Sequence, residues 1–498
     1  VYLVGYVGIN LYTMGQALNI MLGWPVFVAA ALVASISAVY VTFGGQTSVI
    51  MTDLFQGVML MVTGLILLAL GIHYLGGPTE FWEHLPRTHR TAFPNFNSDP
   101  SYNSVGVFWQ DAMANSAMFY FLNQGMVMRL MSARSVKDSR RAMVVMLLIL
   151  MPIAAIVVAS GGWVGQALVH SGNLPADIKP EEAFFIAANF LSRPGVFGLI
   201  MAALTAALMS TVDTLITAIA AIVVNDLYKP SRPKATEKDL LRVARISSVS
   251  ITLLGVGLVP VFISFGSIYS AHAAFTAAVT PPLVVALLLG VFWRRYTPKA
   301  AYWTMVGGTI LIMASVIFPE MVWPFAHGVP MKEVDPGFLA GKDQYKFMRA
   351  FFGIVCCTSI GVIVTLFTKA KPLEEIRGLV WGTVGDAIAW YKGSAGTESE
   401  SVWAAALPIT GGTDTLRGSG QLPVVRISEA LAKEIEAGPN DLLYLSDRRA
   451  WLGGLRSSHA LIDAVTDELK GNSVELGPML HDMLARGPDV PLRVKRLY

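Results

Sequence analysis

The chain has 498 residues, of which 54% are hydrophobic and 14% charged, and its mean hydropathy is +0.55. Soluble domains average roughly 25% charged residues, so most of this chain belongs in lipid, and a net charge of +3 is too small to point to nucleic acid. Cys356 and Cys357 are adjacent in an apolar run, which excludes a disulfide framework and a cysteine metal site and leaves them as packing residues.

A hydrocarbon core of roughly 30 Å asks for about twenty apolar residues per helix. Ten stretches qualify, at about 2–22, 24–44, 46–76, 107–132, 138–168, 196–227, 240–266, 267–292, 298–318 and 345–369. The sequence starts at Val1, already inside an apolar run and without Met or a charged signal region, and so reads as lacking upstream residues. Basic residues collect after the fourth span (Arg134, Lys137, Arg140, Arg141), the sixth (Lys229, Arg232, Lys234) and the eighth (Arg294, Arg295, Lys299). The positive-inside rule then gives one alternating topology with the tail after Lys371 cytoplasmic. Gly44-Gly45, Asn123-Gln124-Gly125, Gly161-Gly162 and Thr280-Pro281-Pro282 interrupt spans. Such breaks occur at water-filled paths, or simply where small residues let helices pack closely.

Beyond Lys371 an amphipathic stretch, Leu373 to Tyr391, is suited to a membrane surface, and Gly393 to Glu400 is a small, polar linker. Residues 401–498 have soluble character, with β-like runs at 422–427, 441–445 and 492–497 and helical patterning at 428–436 and 477–485, so a small α+β domain is expected. The run LPVVRISEALAKEIEAGPNDLLYLS weakly resembles an AbrB-type swapped hairpin, without implying DNA binding. Arg448, Arg449, Arg456 and His459 form either a site for an anionic ligand or a solvated basic edge.

The sixth span carries Ser210, Thr211, Asp213 and Thr214 in AALMSTVDT. Ser210, Asp213 and Thr214 lie at i, i+3 and i+4 and share a helix face. Asp53, in SVIMTDLFQG, is a second intramembrane acid, and two such acids are best neutralised by a shared cation. Hydroxyls, carboxylates and freed carbonyls suit a hard cation rather than a soft metal. The competing account has the hydroxyls bonded to their own helix carbonyls and Asp213 capping an inter-helix contact.

Four stretches then carry a resemblance: FGGQTSVIMTDLFQG at 43–57, NQGMVMRLMSARS at 123–135, AALMSTVDTLITAIAAIVVNDLYKP at 206–230 and TPPLVVALLLGVFWRR at 280–295. In order and spacing the chain resembles the sodium:solute symporter family over about residues 1–370. The resemblance implies an all-α multi-pass membrane protein with a five-plus-five inverted-repeat core, its first two core helices absent here, and a cytoplasmic α+β domain appended. It implies sodium as the coupling ion, with the Ala207 carbonyl and the Ser210 and Thr211 hydroxyls as ligands, and a second cation at Asp53, Asp213 and Thr214. Asp213 stands where such relatives carry a hydroxyl, so a protonatable role is equally open. By the same alignment the substrate pocket takes Tyr12, Phe119, Tyr120, Asn123, His272 and Ala273. The pair Phe119-Tyr120 replaces the Tyr-Trp of sugar transporters, and Ala273 replaces a sugar-binding Gln, which weakens a sugar reading.

No HExxH, Walker loop or nucleophile elbow occurs, which argues against an ATP-driven pump, and the resemblance implies a plasma-membrane symporter of a small organic solute rather than an enzyme. Two alternatives stand beside it. One is a solute sensor signalling through its tail, and the other a symporter coupled to protons at Asp53 and Asp213.

Overall fold

A computed structural model describes residues 2–91, 104–119, 123–179, 182–264, 268–331, 344–393, 396–409, 415–417, 422–448, 456–485 and 490–498. Two compact units emerge, one of residues 1–129, 147–290 and 295–370, the other of 130–146, 291–294 and 371–498.

The first unit is helical. Among the described residues seven helices are long and apolar enough to cross a bilayer: Val26–Tyr74, Val136–His170, Pro194–Ser231, Glu237–Ile263, Ala271–Phe292, Pro298–Ile317 and Met348–Leu366. The ten expected stretches reduce to these for identifiable reasons. The expected spans 24–44 and 46–76 form one helical element, broken only at Gly45, whose φ of 60° and ψ of −159° are open to a residue without Cβ. The expected span 107–132 is divided into a π-helical segment, Phe108–Phe119, and a short helix, Gln124–Met131. The first helix, Tyr2–Leu22, carries Asn10, Thr13, Gln16 and Asn19 and is not among the seven. At Pro281 and Pro282, where an interruption was expected, the Ile268–Phe292 helix runs through, and so does Met151–His170 at Gly161-Gly162.

Small residues bring these helices together, as intramembrane packing requires. Gly64 and Gly71 lie against Val157 and Val164, and Gly5 and Gly8 lie against Phe275 and Leu258. Val7, Leu11 and Tyr12 of the first helix, Ala30 and Ala34 of the second, Val212 and Ile216, and Ile251 and Val259 form one buried cluster. Cys357 is buried with Val285 and Ile312, in the packing role expected of it.

In the second unit the expected α+β domain is a closed barrel. Its strands β1 (Val402–Pro408), β3 (Leu422–Ser428), β4 (Leu442–Ser446), β5 (Ser457–Thr466), β6 (Ser473–Leu476) and β7 (Pro491–Arg496) pair in the ring β3-β5-β4-β7-β1-β6, with β6 returning to β3, and β2 (Leu416–Arg417) lies outside on β3. The pairing has an internal two-fold: β3–β5 and β6–β1 are parallel, β4–β5 and β7–β1 antiparallel, while β4–β7 and β3–β6 link the halves. Each half also places a short helix between equivalent strands, Glu429–Glu434 after β3 and Pro478–Leu484 after β6. The strand-helix-strand order of the swapped-hairpin reading is present, but β3 pairs with β5 and not with β4. A core of Val425, Ile427, Leu443, Leu445, Ile462, Val474 and Val494 fills the barrel. The amphipathic stretch 373–391 holds two short helices, Leu373–Ile376 and Val384–Lys392, parted by a turn with positive φ at Gly378 and Gly382.

Candidate functional site

A cavity of about 280 Å³ lies within the helical unit. The Pro194–Ser231 helix lines it with Ser210, Thr211 and Thr214, the π-helical segment with Asn115 and Ser116, and the Gln124–Met131 region with Asn123, Met126 and Arg129. Tyr6 completes it from the first helix. Just before the Gln124–Met131 helix, Asn123 turns its Oδ1 back to accept from the Gly125 amide at 2.8 Å. Gly125 in turn lets this segment approach Thr214 so closely that a Cβ there would collide with the threonine methyl.

The hydroxyl face is arranged as its helix dictates. Ser210 donates to the Ala207 carbonyl at 2.8 Å and Thr214 to the Ser210 carbonyl at 2.9 Å, which leaves oxygen lone pairs free to face the cavity. Thr211 lines the cavity beside them. Asp53 is given a fixed partner that the sequence reading did not include: Arg129 donates both to the Asp53 carboxylate and to the Thr214 hydroxyl. Thr214 and Asp53 are therefore brought together, through a guanidinium. Asp213 is elsewhere, fully buried and facing Ser37 of the Val26–Tyr74 helix, and neither of its oxygens completes a hydrogen bond of ordinary geometry among the described residues.

The expected pocket divides in a similar way. Asn123 lines the cavity, whereas Tyr12 is only 4% exposed within the helix core and Ala273 is fully buried. The Tyr120 position and the Phe119 side chain lie outside the described residues. His272 meets Tyr6, with Nε2 and the phenol oxygen 3.3 Å apart. Near them sits an acid the sequence reading passed over, Asp111, which accepts from the Tyr269 hydroxyl at 2.9 Å. Gln110 donates to Thr276 at 3.1 Å. Arg129 and Asp111 both fall inside the expected span 107–132, and an ionisable residue within a span was the signal that could have found them.

Residues 1–308 match the model of the sodium:solute symporter family. The chain belongs to this family. Its curated relatives include the sodium/glucose cotransporter of Vibrio parahaemolyticus, 27% identical over 342 residues, covering 63% of this chain and 61% of that protein. The human sodium/myo-inositol cotransporter is 25% identical over 425 residues, 76% of this chain and 57% of its own length. A bovine sodium/mannose cotransporter is 24% identical over 415 residues, 76% and 67% respectively. The chain thus spans 57% to 67% of the length of these relatives. Among solved structures, a substrate-bound, outward-open Na+-coupled sialic acid symporter superposes with a TM-score of 0.58 over 74% of this chain and 73% of its own, at 19% identity, and so shares the fold.

Proposed function

We propose that this chain is the membrane core of a sodium-coupled symporter that imports a small organic solute by alternating access. The observation that carries this reading is the hydroxyl face of Ser210, Thr211 and Thr214, turned into a cavity in a member of the sodium:solute symporter family. The Ala207 carbonyl with the Ser210 and Thr211 hydroxyls supplies oxygen-only donors of the kind a hard monovalent cation takes. Sodium there favours one conformation by differential binding, and joint occupancy by the solute permits closure. The broken segment at Asn123, beside this face, is where inverted-repeat transporters hold their sites.

Asp53, Thr214 and Arg129 form the second part of this reading. Arg129 occupies the place a second cation would take, so a cation enters only when the guanidinium moves away. Asp213, with both oxygens unpartnered, supports a protonatable group that adds a pH term to coupling. On the charge pattern the tail is cytoplasmic.

The test uses the full-length protein in proteoliposomes, with a solute library and inward gradients of sodium or potassium. Sodium-dependent uptake in the wild type, lost in Ser210→Ala and Thr211→Ala, is the expected result. Uptake that tracks pH alone would replace sodium with protons, and binding without uptake under any gradient would favour a sensor.

A further inference from the structure

The second unit contains, besides the barrel, the turn that follows the Gln124–Met131 helix, and three separate pieces of the tail converge on that turn. At the end of the Val384–Lys392 helix, Lys392 donates to the carbonyls of Met131 and Ala133 and is only 7% exposed. From strand β5, His459 Nε2 lies 3.0 Å from the Arg134 carbonyl, and since a carbonyl only accepts, this nitrogen carries the proton. From the linker, Glu398 is held by Lys495 at 2.6 Å, and its Oε1 faces the Ser135 hydroxyl and the Lys137 amide without completing a bond of ordinary geometry.

The charges match what the turn presents. One helix ends at Met131, where the last carbonyls have no partner further along the helix, and the next starts at Val136, its first amides without one before it and capped by a fully buried Ser135. The tail sets a cation at the negative helix end and an anion at the positive one. This grip is polar and peripheral: the barrel core is made entirely of residues between Val402 and Val494, so the barrel can let go of the turn without unfolding. The grip also ends two residues from Arg129, the residue that bonds Asp53 and Thr214.

We propose that the barrel is a regulatory module whose ligand is this chain's own 131–138 turn, and that holding or releasing the turn sets how readily Arg129 leaves Asp53 and Thr214. This rests on the reading of those residues as part of the cation path. Engaged, the tail fixes the backbone after Arg129 and keeps the guanidinium in place; released, it lets the helix end shift and the second cation position open.

The test is made on the full chain in nanodiscs with Lys392→Met and, as a milder isosteric change, Glu398→Gln. Hydrogen exchange is followed at 131–138 and in the barrel strands, and sodium binding is measured with the radioactive ion. Losing charge-assisted hydrogen bonds should speed exchange at 131–138 by roughly tenfold or more, leave β3, β4 and β7 unchanged, and move half-saturating sodium by at least about threefold. Faster exchange with unmoved sodium saturation makes the turn a plain anchor and overturns the proposal. Unchanged exchange at 131–138 in both variants overturns it too. A wild type that binds no sodium at all removes the functional reading and this proposal together, whereas a saturating wild type with unshifted variants removes only the proposal. If Lys392→Met also loosens the barrel strands, Glu398→Gln alone decides.

Discussion

At the scale of single residues, Arg129 and Asp53 form an ion pair that joins the Gln124–Met131 and Val26–Tyr74 helices. Arg129 is partly exposed to the cavity and Asp53 mostly covered, so removing either partner leaves the other charge partly desolvated and uncompensated. Arg129→Met and Asp53→Asn should therefore each lower the thermal midpoint of the purified protein, and the double variant should be more stable than either single. Additive losses in that cycle would show that the two side chains do not neutralise each other. The pair was not legible in the sequence, because residues 76 apart meet only through helix packing. What was legible is the chemistry: each is an ionisable group inside a span, and such groups need partners. Tyr6 and Tyr12 make the same point from the other side. They lie on one helix six residues apart, so they face different directions, and alignment alone favoured the one that turns into the core.

Breaks and close approaches decide how the elements sit. The interruptions at Gly44-Gly45 and at Asn123 were readable as small or polar residues inside apolar runs, and the structure places a backbone departure at each. The proline pair was misread, because loss of helix hydrogen bonds at Pro281 and Pro282 does not require the helix to stop when neighbours support it. Gly125 shows what a single close approach contributes. A Cβ there meets the Thr214 side chain, whereas one at Gly257 meets nothing within 4 Å. Overpacking of this kind costs about 1–3 kcal/mol, so Gly125→Ala should lower the thermal midpoint and raise half-saturating sodium, with Gly257→Ala as the neutral comparison. Equal behaviour of the two variants, in both measurements, would mean that Thr214 gives way without consequence.

For the whole molecule, the tail shows where sequence patterning stopped being informative. Runs at 422–427, 441–445 and 492–497 were readable as strands, but β1, β5 and β6 were not, since their neighbours across the barrel rather than their own alternation fix them. The pairing of β3 with β6, and with it the closed ring, depends on contacts far apart in the chain. Arg449 lies outside the described residues, and His459, read as one edge of an anion site, is engaged with the Arg134 carbonyl.

That engagement gives the second unit a pH dependence of defined sign. Burial is the main cause that pulls His459 down to about 4; the nearby charge of Lys392 adds to it and the bond to Arg134 opposes it. Once released or unfolded, the imidazole returns to its ordinary pKa of about 6.5. Between those values the open form takes up a proton that the closed form refuses, so stability falls as pH drops from about 6.5 towards 4. Glu398 acts lower: burial raises it, but the bond from Lys495 and the facing Ser135 hydroxyl outweigh that, so its contribution is intact above the usual Glu range. Acidifying the full chain from pH 7 to pH 5 therefore separates the histidine from Glu398, which stays ionised throughout. Protection of the 131–138 amides, each rate taken relative to the intrinsic exchange rate at that pH, should fall over that interval in the wild type and much less in His459→Gln, whose amide can still donate to Arg134 but cannot take up a proton. If both respond equally to acid, the imidazole is not what the turn senses, and the pH response of the tail must come from another group.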